Sequence, residues 1–265
     1  MSSFDTRSYW ERRLADDWTL RGVGFRRMGS RFNEWAYRRR GERFVALVEE
    51  FVPERSELRV LDVGSGTGFY LDAWTRLGAK DVTGLDLTDA AVDKLRQKFP
   101  DLDIHRGDIS EGLGDLRAGS FDVVTTMDVM FHIVDMRRFA ATLRNVGALL
   151  RPGGLFIWSD LFLHGPEIIQ EHVAFRSLYR IEAMLDNAGF DICGRRPMFF
   201  YMAEPRDMSN RTAWHAWRGV MRVAATAEPL GELAGRVGYR LDGWLDAHRI
   251  ESPSTEFMVC VKRDP

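Results

Sequence analysis

The chain has 265 residues, enough for one large domain with a modest cap but not for two domains of equal weight. Hydrophobic residues make up 45% and charged residues 29%, a globular balance, and no apolar run approaches the ~20 residues that a membrane-spanning helix needs. A formal charge of −2 supplies no general attraction to nucleic acid or acidic membranes, so neither is expected as a partner.

Met1 to Trp10 is polar and lacks the apolar stretch of a secretory signal, so a cytoplasmic protein is expected. Residues 1–56 read as an N-terminal helical arm, with helical spacing clearest at Phe44, Leu47, Val48 and Phe51 before Pro53 stops it. Residues 1–43 hold eleven arginines against six acids, including the run Arg38-Arg39-Arg40. Such a run is either a solvated helix face or a basic lid that draws in an anionic substrate. Tyr9, Trp10, Trp18, Phe25, Phe32, Trp35 and Tyr37 give the arm its aromatics, which serve a core or an acceptor pocket.

Residues 57–204 alternate strand-like and helix-like segments. The strand candidates are Leu58–Val63, Val82–Leu87, Leu102–Arg106, Phe121–Met127 and Leu155–Leu161. Helices are expected near Phe69–Leu77, Asp89–Phe99 and Met136–Leu150, the last capped by Asp135 and ended by Arg151-Pro152-Gly153-Gly154. A further helix, Leu178–Ala188, and a strand near Asp191–Tyr201 follow. Residues 205–250 read as a helical insertion forming an acceptor lid, and residues 251–265 as the final edge strand, Thr255–Lys262. The expected fold is α/β: a doubly wound, mostly parallel sheet with helices on both faces. Cys193 and Cys260 lack CxxC spacing and read as buried apolar residues rather than a disulfide or metal site.

The chemistry concentrates in Asp62-Val63-Gly64-Ser65-Gly66-Thr67-Gly68, an apolar strand opening into a glycine turn and then a helix. In open parallel sheets ligands bind outside the carboxyl ends of the strands. A dinucleotide fingerprint would place a third glycine at residue 69, but Phe69 stands there and the pattern is GxGxG. Asp62 would repel a pyrophosphate yet can hold the ammonium and sulfonium half of S-adenosylmethionine (SAM). Asp86, 20 residues beyond Gly66, ends the second strand where a carboxylate meets ribose hydroxyls. It can instead cap the following helix, although Thr88 and Asp89 already offer caps.

Together with Gly84-Leu85-Asp86, Arg106-Gly107-Asp108-Ile109, Phe121-Asp122-Val123-Val124 and Leu150-Arg151-Pro152-Gly153-Gly154, this turn resembles the class I SAM-dependent methyltransferases from Val60 to Leu161. The resemblance implies that Asp62, Gly64, Ser65, Gly66 and Gly68 line the methionine end and that Asp86 binds the ribose. It further implies that Leu87 and Ile109 flank the adenine, that Asp108 accepts its amino group, and that Met127 and Asp128 contact the methionine portion. It also implies a seven-stranded sheet whose antiparallel edge strand Thr255–Lys262 can supply, and S-adenosylhomocysteine as the product. The Asn/Asp-Pro-Pro-aromatic run of nucleic-acid amino-methylating relatives is replaced by Met127-Asp128-Val129-Met130, which argues against DNA as substrate. No clustered Asp and Asn set suggests a metal.

The expected reaction is transfer of the SAM methyl to a small molecule, with O-methylation favoured and N- or C-methylation open. In-line positioning carries most of the catalysis, and a hydroxyl acceptor also needs a base. His132, just past the fourth strand, is the first candidate, with His164 and His172 after the fifth, where Asp160 can orient one of them. Each can equally be a packing histidine. The acceptor is expected to be aromatic or lipophilic, an anionic group being one option; oligomeric state is not legible. A nucleotide-dependent oxidoreductase and a catalytically silent SAM-binding module are the alternatives. Aminopropyl transfer fits poorly with the basic arm.

Overall fold

The computed structural model describes residues 4–249 and 251–264. Strands β1 (Arg59–Val63), β2 (Asp81–Asp86), β3 (Asp103–Arg106), β4 (Phe121–Met127) and β5 (Leu150–Asp160) run parallel, near the places their apolar stretches predict. A short hairpin, β6 (Ile168–Ile169) and β7 (Ala174–Phe175), follows, and β8 (Phe190–Pro197) and β9 (Glu256–Lys262) complete the main sheet. Its seven strands are ordered β3-β2-β1-β4-β5-β9-β8, and β9 lies antiparallel to both neighbours.

Both faces of the sheet are buried, so adjacent residues on one strand point into different cores. Val60, Val82, Val123 and Ile157 face the core shared with α3 (Gly29–Phe51), α4 (Phe69–Arg76) and α5 (Asp89–Lys98). Leu61, Leu85, Val124 and Trp158 face the core shared with α6 (Met136–Leu149) and α7 (Leu178–Asn187). Asp135 caps α6 by accepting from Arg137 N and Arg138 N, as its sequence predicts.

Several expectations need correction. The edge strand is β8, not Thr255–Lys262: β9 is buried from Glu256 to Cys260, whereas β8 exposes Asp191, Ile192 and Cys193. A bulge between Ile192 and Gly194 suits β8 to an edge. Cys193 is therefore exposed, while Cys260 is buried as expected, and both thiols are free. Arg151-Pro152-Gly153-Gly154 does not separate helix from strand; β5 already begins at Leu150, opposite Phe121, and bulges before Leu155 pairs with Val123.

The arm comprises α1 (Thr6–Asp16), the short α2 (Leu20–Val23), a 3₁₀ turn and the long α3. Phe32, Ala36, Phe44, Leu47 and Val48 of α3 are core residues, so this helix belongs to the body of the domain rather than to a detachable lid. The insertion forms α8 (Arg211–Ala224) and α9 (Glu228–Asp246), and α9 lies along α3. Gly235 permits that approach, since a Cβ there would meet Trp35 Cβ at 3.0 Å. Glu228 accepts from Ser30 N at 2.8 Å and Arg31 N at 3.1 Å, capping the start of α3. Among the described residues no helix is long and apolar enough to cross a membrane.

Candidate functional site

The turn after β1 owes its shape to its glycines: Gly64, Gly66 and Gly68 have φ of +75°, +54° and +77°, the left-handed region that side chains disfavour. At Gly64 a Cβ would also overlap Val129. The turn is stitched to β2, for Gly64 N donates to Leu85 O at 2.7 Å and Gly66 N to the Asp86 carboxylate at 2.8 Å. Ser65 closes it locally by donating to Asp62 O at 2.8 Å.

Asp62 is 1% exposed and takes one hydrogen bond from Thr125 Oγ1 at 2.7 Å. Its other oxygen, Oδ2, is buried with no partner, and burial pushes the carboxyl up to about 7. A buried carboxylate oxygen without a donor is costly unless a ligand supplies one. Asp86 is also buried and also raised by burial, but it accepts from Gly66 N and from the Thr88 amide and hydroxyl at 2.9 and 2.8 Å. It thus shapes the turn, while Thr88 caps α5. An ionised carboxylate offers about four lone-pair positions, so ribose hydroxyls can still be accommodated at Asp86.

A cavity of about 1160 Å³ opens beside this turn, larger than the roughly 300–1,000 Å³ of an ordinary small-molecule site. Gly64, Ser65, Gly66, Asp86, Leu87, Asp108, Ile109, Met127, Asp128 and His132 all line it. Asp62 and Gly68 are not on its wall. Asp108 accepts from Ser110 N at 2.9 Å and pairs with Arg138 at 2.5 Å, so a basic side chain already competes for the carboxylate expected to meet an adenine amino group. Asp128 holds φ of +58°, an uncommon conformation for a residue with a side chain. It is anchored there by Ser159, whose hydroxyl accepts from Asp128 N at 2.8 Å and donates to its carboxylate at 2.9 Å.

His132 ends a 3₁₀ turn after β4, with Trp10 of the arm packed edge-on at 5.1 Å. Its Nδ1 lies 3.0 Å from the backbone oxygen of His172. A carbonyl only accepts, so Nδ1 carries the proton and Nε2 keeps its lone pair. Burial pushes this imidazole down to about 4, leaving it neutral at physiological pH.

The other two histidines are placed differently. His172 is not on the cavity wall; it serves His132 through its carbonyl, and its ring packs against Phe4 and Tyr9, each at 5.8 Å. His164 lies outside the cavity, half exposed, paired with Asp207 at 2.6 Å and Glu251 at 3.7 Å. Asp160 orients neither: it accepts from its own neighbour Leu161 N at 2.6 Å, and burial pushes it up to about 8.

The arginine run divides three ways, so neither a solvated face nor a basic lid describes it. Arg38 is exposed and pairs with Glu42 at 3.1 Å, Arg39 is buried against Asp246, and Arg40 is buried against Asp128. Burial, the largest single influence, opposes the Arg40 charge, but Asp128 together with the Tyr70 and Tyr37 hydroxyls holds the guanidinium above its ordinary value. Arg40 lines the cavity, a role the sequence reading missed. A signal existed: Ala36, Arg40 and Phe44 are four residues apart, on the face that α3 buries.

The arm closes one side of the cavity through Trp10, Leu14, Val23 and Tyr37. Among the described residues none of 205–249 lines it, so these helices do not occupy the lid position expected for them. Trp18 Nε1 donates to Gly66 O at 2.9 Å, and the Glu11 carboxylate accepts from Asp89 N and Ala90 N at 2.8 and 2.9 Å.

Residues 60–154 match a family model described as a methyltransferase domain. The chain is 42% identical over 106 residues to a ubiquinone biosynthesis O-methyltransferase of Nitrosococcus oceani, covering 39% of this chain and 43% of that protein. It thus spans less than half the length of that curated relative. Phosphoethanolamine N-methyltransferase 2 of Haemonchus contortus, solved with S-adenosyl-L-methionine, superposes with a TM-score of 0.60 at 18% identity, covering 99% of this chain and 61% of that one. The cyclase SpnF superposes with a TM-score of 0.54 at 18% identity, over 84% of this chain and 81% of its own. These structural likenesses establish a shared fold and leave the chemistry to the site.

Proposed function

We propose that residues 60–154, which match a methyltransferase-domain model, form a class I, SAM-dependent methyltransferase domain, and that the chain transfers a methyl group from SAM to a hydroxyl of a small, largely apolar acceptor. The observation that carries this reading is one cavity uniting Gly64 to Gly66, the carboxylates of Asp86, Asp108 and Asp128, and an imidazole whose lone-pair nitrogen is fixed.

The residues present fit the cofactor. Asp62 is off the cavity wall but adjoins Val63, which lines it; its unpartnered oxygen would suit an ammonium, and Arg40, on the wall and paired with Asp128, would suit the carboxylate of the same amino-acid end. Asp86 would take the ribose hydroxyls, Leu87 and Ile109 the adenine faces, and Asp108 the adenine amino group with lone pairs not used by Arg138. Met127 and Asp128 would border the methionine portion. When bound, SAM supplies an electrophilic methyl on a cationic sulfur. A pyrophosphate cofactor fits less well, because an ionised Asp62 would repel it.

The chain's part is to hold the acceptor oxygen in line, exclude water and receive a proton. His132 Nε2 is the atom that takes it. A base depressed to about 4 serves a phenolic hydroxyl, pKa ≈ 10, better than an aliphatic one. The arm residues Trp10, Leu14 and Tyr37 supply an apolar and aromatic wall for such an acceptor.

The test is transfer of labelled methyl from SAM to a panel of phenols, with wild type and His132→Ala side by side. Wild type should label a phenol; the variant should lose roughly 10²–10⁴-fold in kcat with SAM affinity unchanged. SAM binding without labelling of any acceptor would favour a silent binding module, and equal turnover would remove His132 from the chemistry.

A further inference from the structure

The insertion has two apolar faces, and only one is covered. Gly231, Gly235 and Leu245 of α9 are buried. Leu230, Leu233, Val237, Leu241 and Trp244, spaced three or four residues apart along another flank, are exposed, Val237 by 55% and Trp244 by 60%. Val220 and Val223 of α8 are exposed by 63% and 60%. Seven large apolar side chains on one helical hairpin exceed the scatter of single exposed residues normal on a soluble surface.

The charges of the same hairpin are sorted. α8 contains no acid, and all four acids of α9 are engaged elsewhere. Glu228 caps α3, Glu232 pairs with Arg31 at 2.6 Å, Asp242 accepts from Phe200 N at 2.9 Å, and Asp246 pairs with Arg39. Arg211, Arg218, Arg222, Arg236 and Arg240 are exposed. Among the described residues only Arg236 of these five has a carboxylate within 4.0 Å, Glu232 at 3.8 Å. An exposed surface that is at once apolar and uniformly cationic matches a surface that is at once apolar and anionic.

We propose that the α8–α9 hairpin docks the protein onto anionic phospholipid, with Leu233, Val237 and Trp244 entering the acyl boundary and the arginines meeting phosphates. The overall charge of −2, from which no membrane partner is expected, conceals this local surplus. A second copy fits poorly, since twofold pairing would set five arginines against five. Nucleic acid would leave the apolar stripe uncovered.

Flotation of the full chain with phosphatidylglycerol vesicles, phosphatidylcholine vesicles and no lipid tests this, alongside light scattering for mass. The protein should float with phosphatidylglycerol, much less with phosphatidylcholine. Arg218→Glu/Arg222→Glu/Arg240→Glu should lower the partition coefficient by about a hundredfold or more, since each cation near an anionic leaflet contributes about fivefold. Leu233→Glu/Val237→Glu should also abolish flotation, and both variants should keep the wild-type melting temperature and methyl transfer. Absence of flotation with phosphatidylglycerol overturns the proposal. So does a dimer that Val237→Glu splits while vesicle binding persists, which would assign the face to a second copy.

Discussion

If the proposed ammonium contact is made, the unpartnered oxygen of Asp62 makes ligand binding a proton-linked event. Burial raises this carboxyl from an ordinary 3.8 to about 7, roughly three units, so ionising it in the free protein costs about 4 kcal/mol at 1.36 kcal/mol per unit. A ligand ammonium restores the charged form. Binding of S-adenosylhomocysteine should therefore release a proton below pH 7, with affinity about a hundredfold weaker at pH 5 than at pH 8. Titration calorimetry in buffers of different ionisation enthalpy reads both quantities. The free protein should show the opposite trend: Asp62 keeps its proton when folded but not when unfolded between about pH 4 and 7. Its stabilising contribution is therefore present below about 4 and lost as pH rises through 7. Asp62→Asn should bind more weakly at pH 8 and lose this pH dependence, which separates Asp62 from Asp86. Wild-type affinity that is flat from pH 5 to 8, with no proton released, would refute the reasoning.

Gly64→Ala combines a φ of +75° with overlap against Val129, and should cost about 1–3 kcal/mol or more, seen as a lowered melting temperature and weakened ligand binding. Trp18→Ala removes the indole that donates to Gly66 O, and should weaken S-adenosylhomocysteine binding by about five- to tenfold, the worth of one hydrogen bond at roughly 1 kcal/mol plus lost cover. Unchanged affinity by calorimetry would show that the clasp does not act on the bound state.

The inner parallel strands were legible because a strand buried on both faces reads as an apolar run, as in Val60-Leu61 of β1, Val123-Val124 of β4 and Leu155 to Trp158 of β5, whereas β3, at the sheet edge, buries only Ile104. The glycine turn was legible because its three left-handed positions admit little else. Position in the sheet order was not: the apolar character of Phe257 to Cys260 identifies a strand but does not say that β8 closes the edge beyond it. Nor did charge identify Arg40, since Arg38, Arg39 and Arg40 differ only in which face of α3 each occupies. His132 and His172 are 40 residues apart, and the hydrogen bond that fixes the imidazole depends on a backbone oxygen that no side-chain pattern reports. The place of residues 205–250 between the last two strands suggested a lid, but Tyr239 donates to Glu42 at 2.6 Å and ties α9 to α3.

The Trp18 indole and the Glu11 carboxylate fasten the arm to the glycine turn and to α5, while Leu14, with Trp10, Trp18 and Val23 packed beside it, joins the same core that holds α3. The segment that roofs the chamber is therefore cemented into the interior rather than latched to its rim. Lifting it to free a bound nucleoside would expose apolar surface as well as break polar bonds. Under the proposed activity, a roof mortared in this way would favour keeping water out over rapid exchange of what lies beneath it.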